Sequence, residues 1–298
     1  MRAIVTGATN GIGVAIAEGL ARAGMDVTLV GRSADRLAAT AERIRAAAPG
    51  PAIATERADL AQLDEVRRLT ARLAAGPPID VAISNAALVA PVEERDALGI
   101  PRTVVVNYLA PYLLLRGLAQ ALAQRPARFV VVGADPVHLA HRPVDVDDLR
   151  FDRPEELGDD VELRPFALYA LTKNMDAMLM YALARRLGDT AITVNGAHPG
   201  IIGQTGLTGE TPGLTQAIHA RYALDPAALP SPAVGADTPV WLATSAEVAG
   251  TTGTFFVDRR AVPTADHTTD PARCDRLWAT TARLLGVAEG LELGDPAR

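Results

Sequence analysis

Lysine is almost missing from this chain. Of 29 lysine and arginine side chains in 298 residues, a single one, Lys173, is lysine. Arginine therefore serves wherever charge alone is wanted. The one lysine marks a position that needs a compact ammonium on a flexible stem, not a planar fork. Cysteine is as scarce: a lone Cys274 excludes an internal disulfide and gives no metal-ligand spacing, so no metal is expected. Aromatic residues make up only 4%, so a core must be built from the aliphatic side chains that dominate the 49% hydrophobic content. No apolar run reaches the roughly 18 residues of a membrane span. Met1-Arg2 leads straight into an apolar strand with no signal-peptide layout. A cytoplasmic protein with no membrane partner is expected. The net charge of −6 argues against nucleic acid, whose binding rests on neutralising phosphates. No linker, repeat or low-complexity block divides the chain, so residues 1–298 read as one domain.

What is present centres on Tyr169-Ala-Leu-Thr-Lys173. A spacing of four sets the phenol and the ammonium on one helix face. A cation beside a tyrosine favours the phenolate, and the expectation is a Tyr169 pKa lowered from about 10 towards neutrality, fit for acid–base work. The N-terminus supplies a second pattern. A short strand runs into Thr6-Gly7-Ala8-Thr9-Asn10-Gly11-Ile12-Gly13, and a helical pattern follows from Val14. Strand, glycine turn and helix form the context of a phosphate-binding loop: glycines permit the close approach, and the helix N-terminus faces the anion. Arg32 ends the second strand, where an acidic residue would hold the ribose 2′-hydroxyl of NAD. Arginine suits a 2′-phosphate, with Arg36 one turn later as an aid, so NADP(H) is the expected cofactor.

Strands and helices alternate along the rest of the chain, which predicts a parallel sheet covered on both faces. A long apolar helix over Thr103–Ala123 carries Asn107. An acidic excursion occupies about 138–164 and reads as solvated. A Gly-, Thr- and Pro-rich stretch without regular period, about 203–232, is a candidate lid. Met175, Met178, Leu179, Ala182 and Leu183 recur at helical spacing and belong to the core or to an interface with a second copy of the chain.

In order and approximate spacing, the quoted motifs resemble those of the short-chain dehydrogenase/reductase family. They are Thr6-Gly7-x-x-x-Gly11-x-Gly13, Asp59-Leu60, Asn85-Ala86, Asn107, Tyr169-x-x-x-Lys173 and Pro199-Gly200. The ending Gly253-Thr-Phe-Phe256 with Leu277-Trp278 resembles the branch holding retinol dehydrogenases and WW-domain oxidoreductases. The resemblance implies an α/β, doubly wound Rossmann fold with a seven-stranded parallel sheet. It also implies roles. Gly7, Thr9, Asn10, Gly11, Ile12 and Gly13 would take the pyrophosphate. Asp59 and Leu60 would take the adenine, and Asn85 and Ala86 the ribose side. Lys173 would bind the nicotinamide ribose and tune Tyr169, and Asn107 would hold a relaying water. Pro199, Gly200, Ile202 and Thr205 would seat the nicotinamide. One departure is large. The serine that follows the fifth strand in the family is matched by Ala134, and no Ser or Thr occurs between Thr103 and Thr172. Asp135 and His138 nearby read either as loop residues or as substitutes that orient the substrate. The expected function is an NADP(H)-dependent oxidoreductase acting on a carbonyl or secondary alcohol of a small apolar molecule. Two alternatives stand beside it: a non-redox dehydratase or cyclase, and a catalytically silent NADP-binding protein.

Overall fold

A computed structural model describes residues 1–136 and 142–293. Its strands are β1 (Arg2–Thr6), β2 (Asp26–Gly31), β3 (Ile53–Arg57), β4 (Val81–Ser84), β5 (Ala127–Val132), β6 (Ile192–His198), β7 (Thr254–Val257) and β8 (Arg260–Val262). The helices are α1 (Gly11–Arg22), α2 (Ala34–Ala47), α3 (Leu63–Ala75), α4 (Arg102–Val104), α5 (Ala110–Leu122), α6 (Arg164–Arg186), α7 (Leu214–Arg221), α8 (Pro232–Thr244), α9 (Asp266–Thr269) and α10 (Pro271–Leu285).

Successive side chains of a strand point to opposite faces, and here both faces are apolar. Ala3, Val5, Val81, Ile83, Val130 and Val132 enter one cluster with residues of α1, α2 and α8. Ile4, Ala82, Phe129 and Val131 enter the other with α3, α5, α6 and α10. The order is β3-β2-β1-β4-β5-β6-β7-β8. The chain crosses from β3 at one edge to β4 beside β1, so the carboxyl ends of β1 and β4 flank the switch point where doubly wound sheets hold ligands. Capping explains where the helices stop and start. Ser33 Oγ accepts the Arg36 N–H at the start of α2, and Asp270 accepts the N–H groups of Ala272 and Arg273 at the start of α10.

Five expectations need correction or refinement. Seven strands are parallel, but an eighth, β8, pairs antiparallel with β7 across a two-residue turn at Asp258 (φ 48°) and Arg259 (φ 59°). The long helix of residues 103–123 is interrupted by a π-helical turn, Val105–Leu109, with Asn107 at its centre. The stretch 203–232 contains helix α7. The acidic excursion, described from Arg142 onward, is solvated only on one side: Val144, Val146, Leu149 and Phe151 are buried pegs between exposed Asp145 and Asp147. The stripe of Met175, Met178, Leu179, Ala182 and Leu183 is fully buried inside the chain, so it forms core and leaves no interface there. No helix of the described residues is long and apolar enough to cross a membrane, and among them no three His, Cys, Asp or Glu side chains gather as metal ligands.

Candidate active site

The glycine loop is fixed by the strand beside it. Thr6 Oγ1 accepts the N–H groups of Asn85 (3.0 Å) and Ala86 (3.1 Å), and Asn85 Nδ2 donates back to Thr6 O at 2.9 Å. These bonds stitch the end of β4 to the end of β1. Gly7 has φ +67°, a conformation that side chains disfavour, and a Cβ on it would stand 2.8 Å from Ala86 Cα. Gly13 sits so close to Gly7 O that a Cβ there would overlap it. Helix α1 begins at Gly11 with no acidic residue in its first turn and no side-chain cap from Asn10, which leaves its N-terminal N–H groups open to an anion. This cradle fits a dinucleotide pyrophosphate.

A crevice of about 260 Å³ runs from this loop past Arg32, Arg36, Asp59 and Leu60 at one end to Tyr169, Lys173 and Pro199 at the other. Thr9, Asn10, Gly11, Ile12, Asn85, Ala86 and Thr205 also line it. Asp59 is turned back to cap its own loop, its Oδ1 accepting the Ala61 N–H at 3.0 Å. Gly200 has φ +87° at the bend that follows β6. Ile202 does not line the crevice; its side chain fills the space over Gly235 of α8. A larger open groove of about 780 Å³ lies between α1 and α8, but its arginines are paired within the chain: Arg22 and Arg43 with Glu18, and Arg259 with Asp237. It lacks both Tyr169 and Lys173.

Arg32 is not waiting open in the crevice. Its guanidinium is ion-paired at 2.6 Å with Glu210, whose other carboxylate oxygen lies 2.8 Å from the Arg102 guanidinium without a hydrogen bond of good geometry. Glu210 belongs to the stretch read as a lid. Thr205 rests on Gly11, Gly206 packs on Asn10, and the Val89 N–H donates to Leu207 O at 2.9 Å. The strap therefore crosses the glycine loop and is clasped to both walls by Glu210.

Helix α6 carries the phenol and the ammonium. Pro165 sits in its first turn, where no N–H is needed. Tyr169 is 8% exposed and stacked on Phe166, 5.7 Å between ring centres. Lys173 Nζ donates to Val132 O at 3.0 Å and to Asp176 Oδ2 at 2.8 Å, and lies 5.8 Å from the centre of the Tyr169 ring. The expected depression of Tyr169 does not hold in this state. Burial raises its pKa above the ordinary tyrosine value; Lys173 pulls it down by less, and Asp176 pushes it up. Burial alone would lower Lys173, but Asp176 and Tyr169 outweigh it and hold it above the usual lysine range, so it is charged.

Asn107 is 1% exposed, and both hydrogens and one lone pair of its side-chain amide are taken within the chain. Oδ1 accepts the Leu88 N–H at 2.9 Å, while Nδ2 donates to Leu88 O (3.0 Å) and Thr172 Oγ1 (3.1 Å). It staples the loop after β4 to α6. Ala134 is half-buried, two residues past the end of β5. Asp135 acts on His198, whose pKa burial lowers while Asp135 and Asp258 pull it up. His138 lies outside the described residues. Three residues of consequence were given no role by the sequence reading. Thr6 and Asp176 stood in the quoted motifs or one turn from them; Glu210 had no local signal.

A family model described as short chain dehydrogenase matches residues 1–135. A Streptomyces sp. (strain C5) protein named for daunorubicin C-13 ketoreduction is 35% identical over 284 residues, spanning 95% of this chain and 92% of that one. Mouse retinol dehydrogenase 13 is 29% identical over 300 residues, 99% and 86% of the two chains. Among solved structures, a short chain dehydrogenase from Burkholderia cenocepacia in complex with NADP aligns with TM-score 0.64 and 28% identity over 86% of this chain and 95% of that one.

Proposed function

The chain belongs to the short-chain dehydrogenase/reductase family of oxidoreductases, and from that premise we propose an NADP(H)-dependent enzyme acting on a carbonyl or secondary alcohol of a small apolar molecule. One observation carries the reading: Tyr169 and Lys173 open into the same crevice as the glycine loop. A bound reduced nicotinamide supplies a hydride there. The residues do the rest. Gly7 to Gly13 and the start of α1 hold the pyrophosphate. Tyr169 gives its proton to the carbonyl oxygen and, in reverse, takes one from the alcohol. Lys173 keeps a positive charge beside that exchange. The strap at residues 205–211 excludes water from it. The apolar side chains that line the crevice beside Tyr169, Ala87, Leu88, Val106, Val132 and Leu207, support an apolar substrate. Absorbance of NADPH with a panel of carbonyl compounds tests the activity; consumption of a substrate with no change in absorbance would favour the dehydratase or cyclase reading.

Preference for NADP(H) is supported by Arg32 and Arg36 at the ribose end. Binding of a 2′-phosphate would exchange the Arg32 partner from Glu210 to phosphate. Each charge-assisted bond to the phosphate contributes about 1.5–3 kcal/mol. Arg32→Asp is expected to weaken NADPH by about tenfold or more and leave NADH unchanged or tighter. Glu210→Gln, by removing the competing carboxylate, is expected to tighten NADPH about tenfold with little change for NADH. Dissociation constants of both cofactors check this. A constant NADPH/NADH ratio across the three proteins would remove Arg32 from the phosphate site.

The non-redox reading draws on one observation, the methyl group of Ala134 where the family has a hydroxyl. A single donor to a developing oxyanion is worth about 10²–10³ in rate. Ala134→Ser is nonetheless expected to leave turnover level or lower, because a site that retains Asn107, Tyr169 and Lys173 obtains that bond from the substrate or from a neighbour. A gain in NADPH oxidation approaching about a hundredfold would mean that this is an ordinary reductase with a decayed serine.

A further inference from the structure

Asp176 stands one turn beyond Lys173 on α6 and is 2% exposed. Its Oδ2 accepts from the Lys173 ammonium at 2.8 Å, and among the described residues its Oδ1 has no hydrogen-bond partner. Its neighbours in sequence, Met175, Ala177 and Met178, are buried in the apolar core. A carboxylate in such surroundings loses its hydration and regains only one partner, so an apolar residue would serve the fold better. The pair also sets the geometry of the lysine. With one N–H directed to Val132 O and one to Asp176, a single N–H of Nζ remains for the crevice.

We infer that Asp176 is a positioning residue: it holds the Lys173 ammonium against the end of β5 and offsets its charge at Tyr169, so that alcohol oxidation at this site rises only as the solution becomes alkaline. The inference rests on the acid–base role proposed for Tyr169 and deepens it to the pH dependence of each direction of reaction. In reduction the carbonyl carbon takes a hydride with its two electrons. The Tyr169 O–H bond breaks, its proton goes to the carbonyl oxygen, and the phenolate is reprotonated from solvent. This direction needs a protonated Tyr169 at the outset. Oxidation needs the phenolate, whose fraction falls tenfold for each unit by which the pKa exceeds the working pH. A lone ammonium beside Tyr169 would favour the phenolate; the Asp176 carboxylate opposes it, and burial acts in the same sense.

The charges around Asp176 are few. Burial lifts its own pKa to about 6, against the pull of Lys173. The Tyr169 phenol on its own helix and the Tyr108 phenol on the π turn also feel its charge, and both are pushed up. Of the other titratable groups packed against α6, His267 of α9 bonds Asn174 at 2.8 Å and feels Arg273 and Asp266, Cys274 of α10 acts on Tyr181, Tyr108, Arg185, Asp275 and Asp270, and His198 of β6 feels Asp135 and Asp258. Above about pH 6 the carboxylate is charged and restrains Lys173; below it, the carboxyl is neutral and the ammonium acts on Tyr169 unopposed.

The test is a titration of the cofactor-free protein by absorbance near 295 nm, read as the difference from Tyr169→Phe, which isolates the Tyr169 phenolate. Asp176→Asn is expected to lower the Tyr169 midpoint by about one pH unit, a tenfold gain in phenolate at fixed pH. Asp176→Glu, which keeps the charge, is expected to return it towards the wild-type value. The rising limb of alcohol oxidation against pH should move down with the midpoint. A midpoint unchanged within about a third of a unit, or raised, overturns the inference. If melting shows that Asp176→Asn does not fold, the wild-type profile decides. Oxidation still climbing above about pH 8 agrees with the inference, and a plateau already reached at neutral pH overturns it. Full turnover in Tyr169→Phe is a different failure, which removes the acid–base reading itself.

Discussion

Tyr169→Phe is expected to lower turnover by about 10²–10⁴-fold, the range that a positioned general acid contributes, while the dissociation constant of NADPH changes by less than about threefold, under 1 kcal/mol. The ring is what packs. It stacks on Phe166 and meets Val89 and Leu214, and all of these contacts survive the loss of one oxygen. Among the described residues the phenolic oxygen has no hydrogen-bond partner within the chain, so the fold loses nothing with it. A melting temperature equal to or slightly above wild type should accompany the dead enzyme. Lys173→Arg extends the same prediction. The ammonium occupies a buried seat between Val132 O and Asp176 that fits one compact cation. A planar guanidinium is larger and bonds as a fork, so turnover is expected to fall about a hundredfold or more. Activity should be measured by NADPH absorbance and binding by fluorescence quenching. Full activity in Lys173→Arg would mean that the sole lysine of the chain marks nothing.

Much of this arrangement was legible because local chemistry agreed with the fold. Helix α2 runs over Ala34–Ala47 because Ser33 caps its start and Pro49-Gly50 denies it continuation, both of which the sequence displays. The residues to which the resemblance assigns a cofactor or catalytic role converge on one crevice, apart from Ile202, Gly200 and Asn107, which shape its surroundings. What stayed hidden was tertiary. Strand β8 has three residues and follows Asp258-Arg259, a turn with two positive φ angles but no glycine to announce it. Glu210 meets Arg32 across 178 positions of chain, and nothing in Thr208-Gly209-Glu210-Thr211 points to that partner. The sign of the Tyr169 shift failed for a related reason. Spacing along a helix reveals that Lys173 is near, but desolvation depends on how deeply the rest of the chain covers the phenol, and here it exceeds the pull of the cation. Asp176 was visible as the third residue after Lys173; its burial, and hence its charge coupling, was not.

Gly13→Ala is expected to be the most damaging small substitution in the chain. A methyl group at Gly13 would overlap Gly7 O and stand 2.6 Å from Asn85 Nδ2. Neither neighbour can yield cheaply. Gly7 O belongs to the backbone of the loop, and Asn85 Nδ2 is held by Thr6 O in the bond that ties β4 to β1. Relief must come either from opening the loop or from breaking that bond. Overpacking costs about 1–3 kcal/mol and a lost buried hydrogen bond about 1 kcal/mol more, so a destabilisation of about 2–4 kcal/mol should appear in denaturant melts. The larger effect should fall on the cofactor. The pyrophosphate needs the loop backbone and the first N–H groups of α1 in one concave surface, and a displacement of about an ångström separates them. NADPH affinity is expected to drop about a hundredfold or more, with the two effects separable, because binding can be measured below the melting transition where the variant is still folded. If the folded variant bound NADPH as tightly as wild type, the pyrophosphate would not lie on this loop, and the assignment of the whole crevice, from Arg32 to Lys173, would lose its anchor.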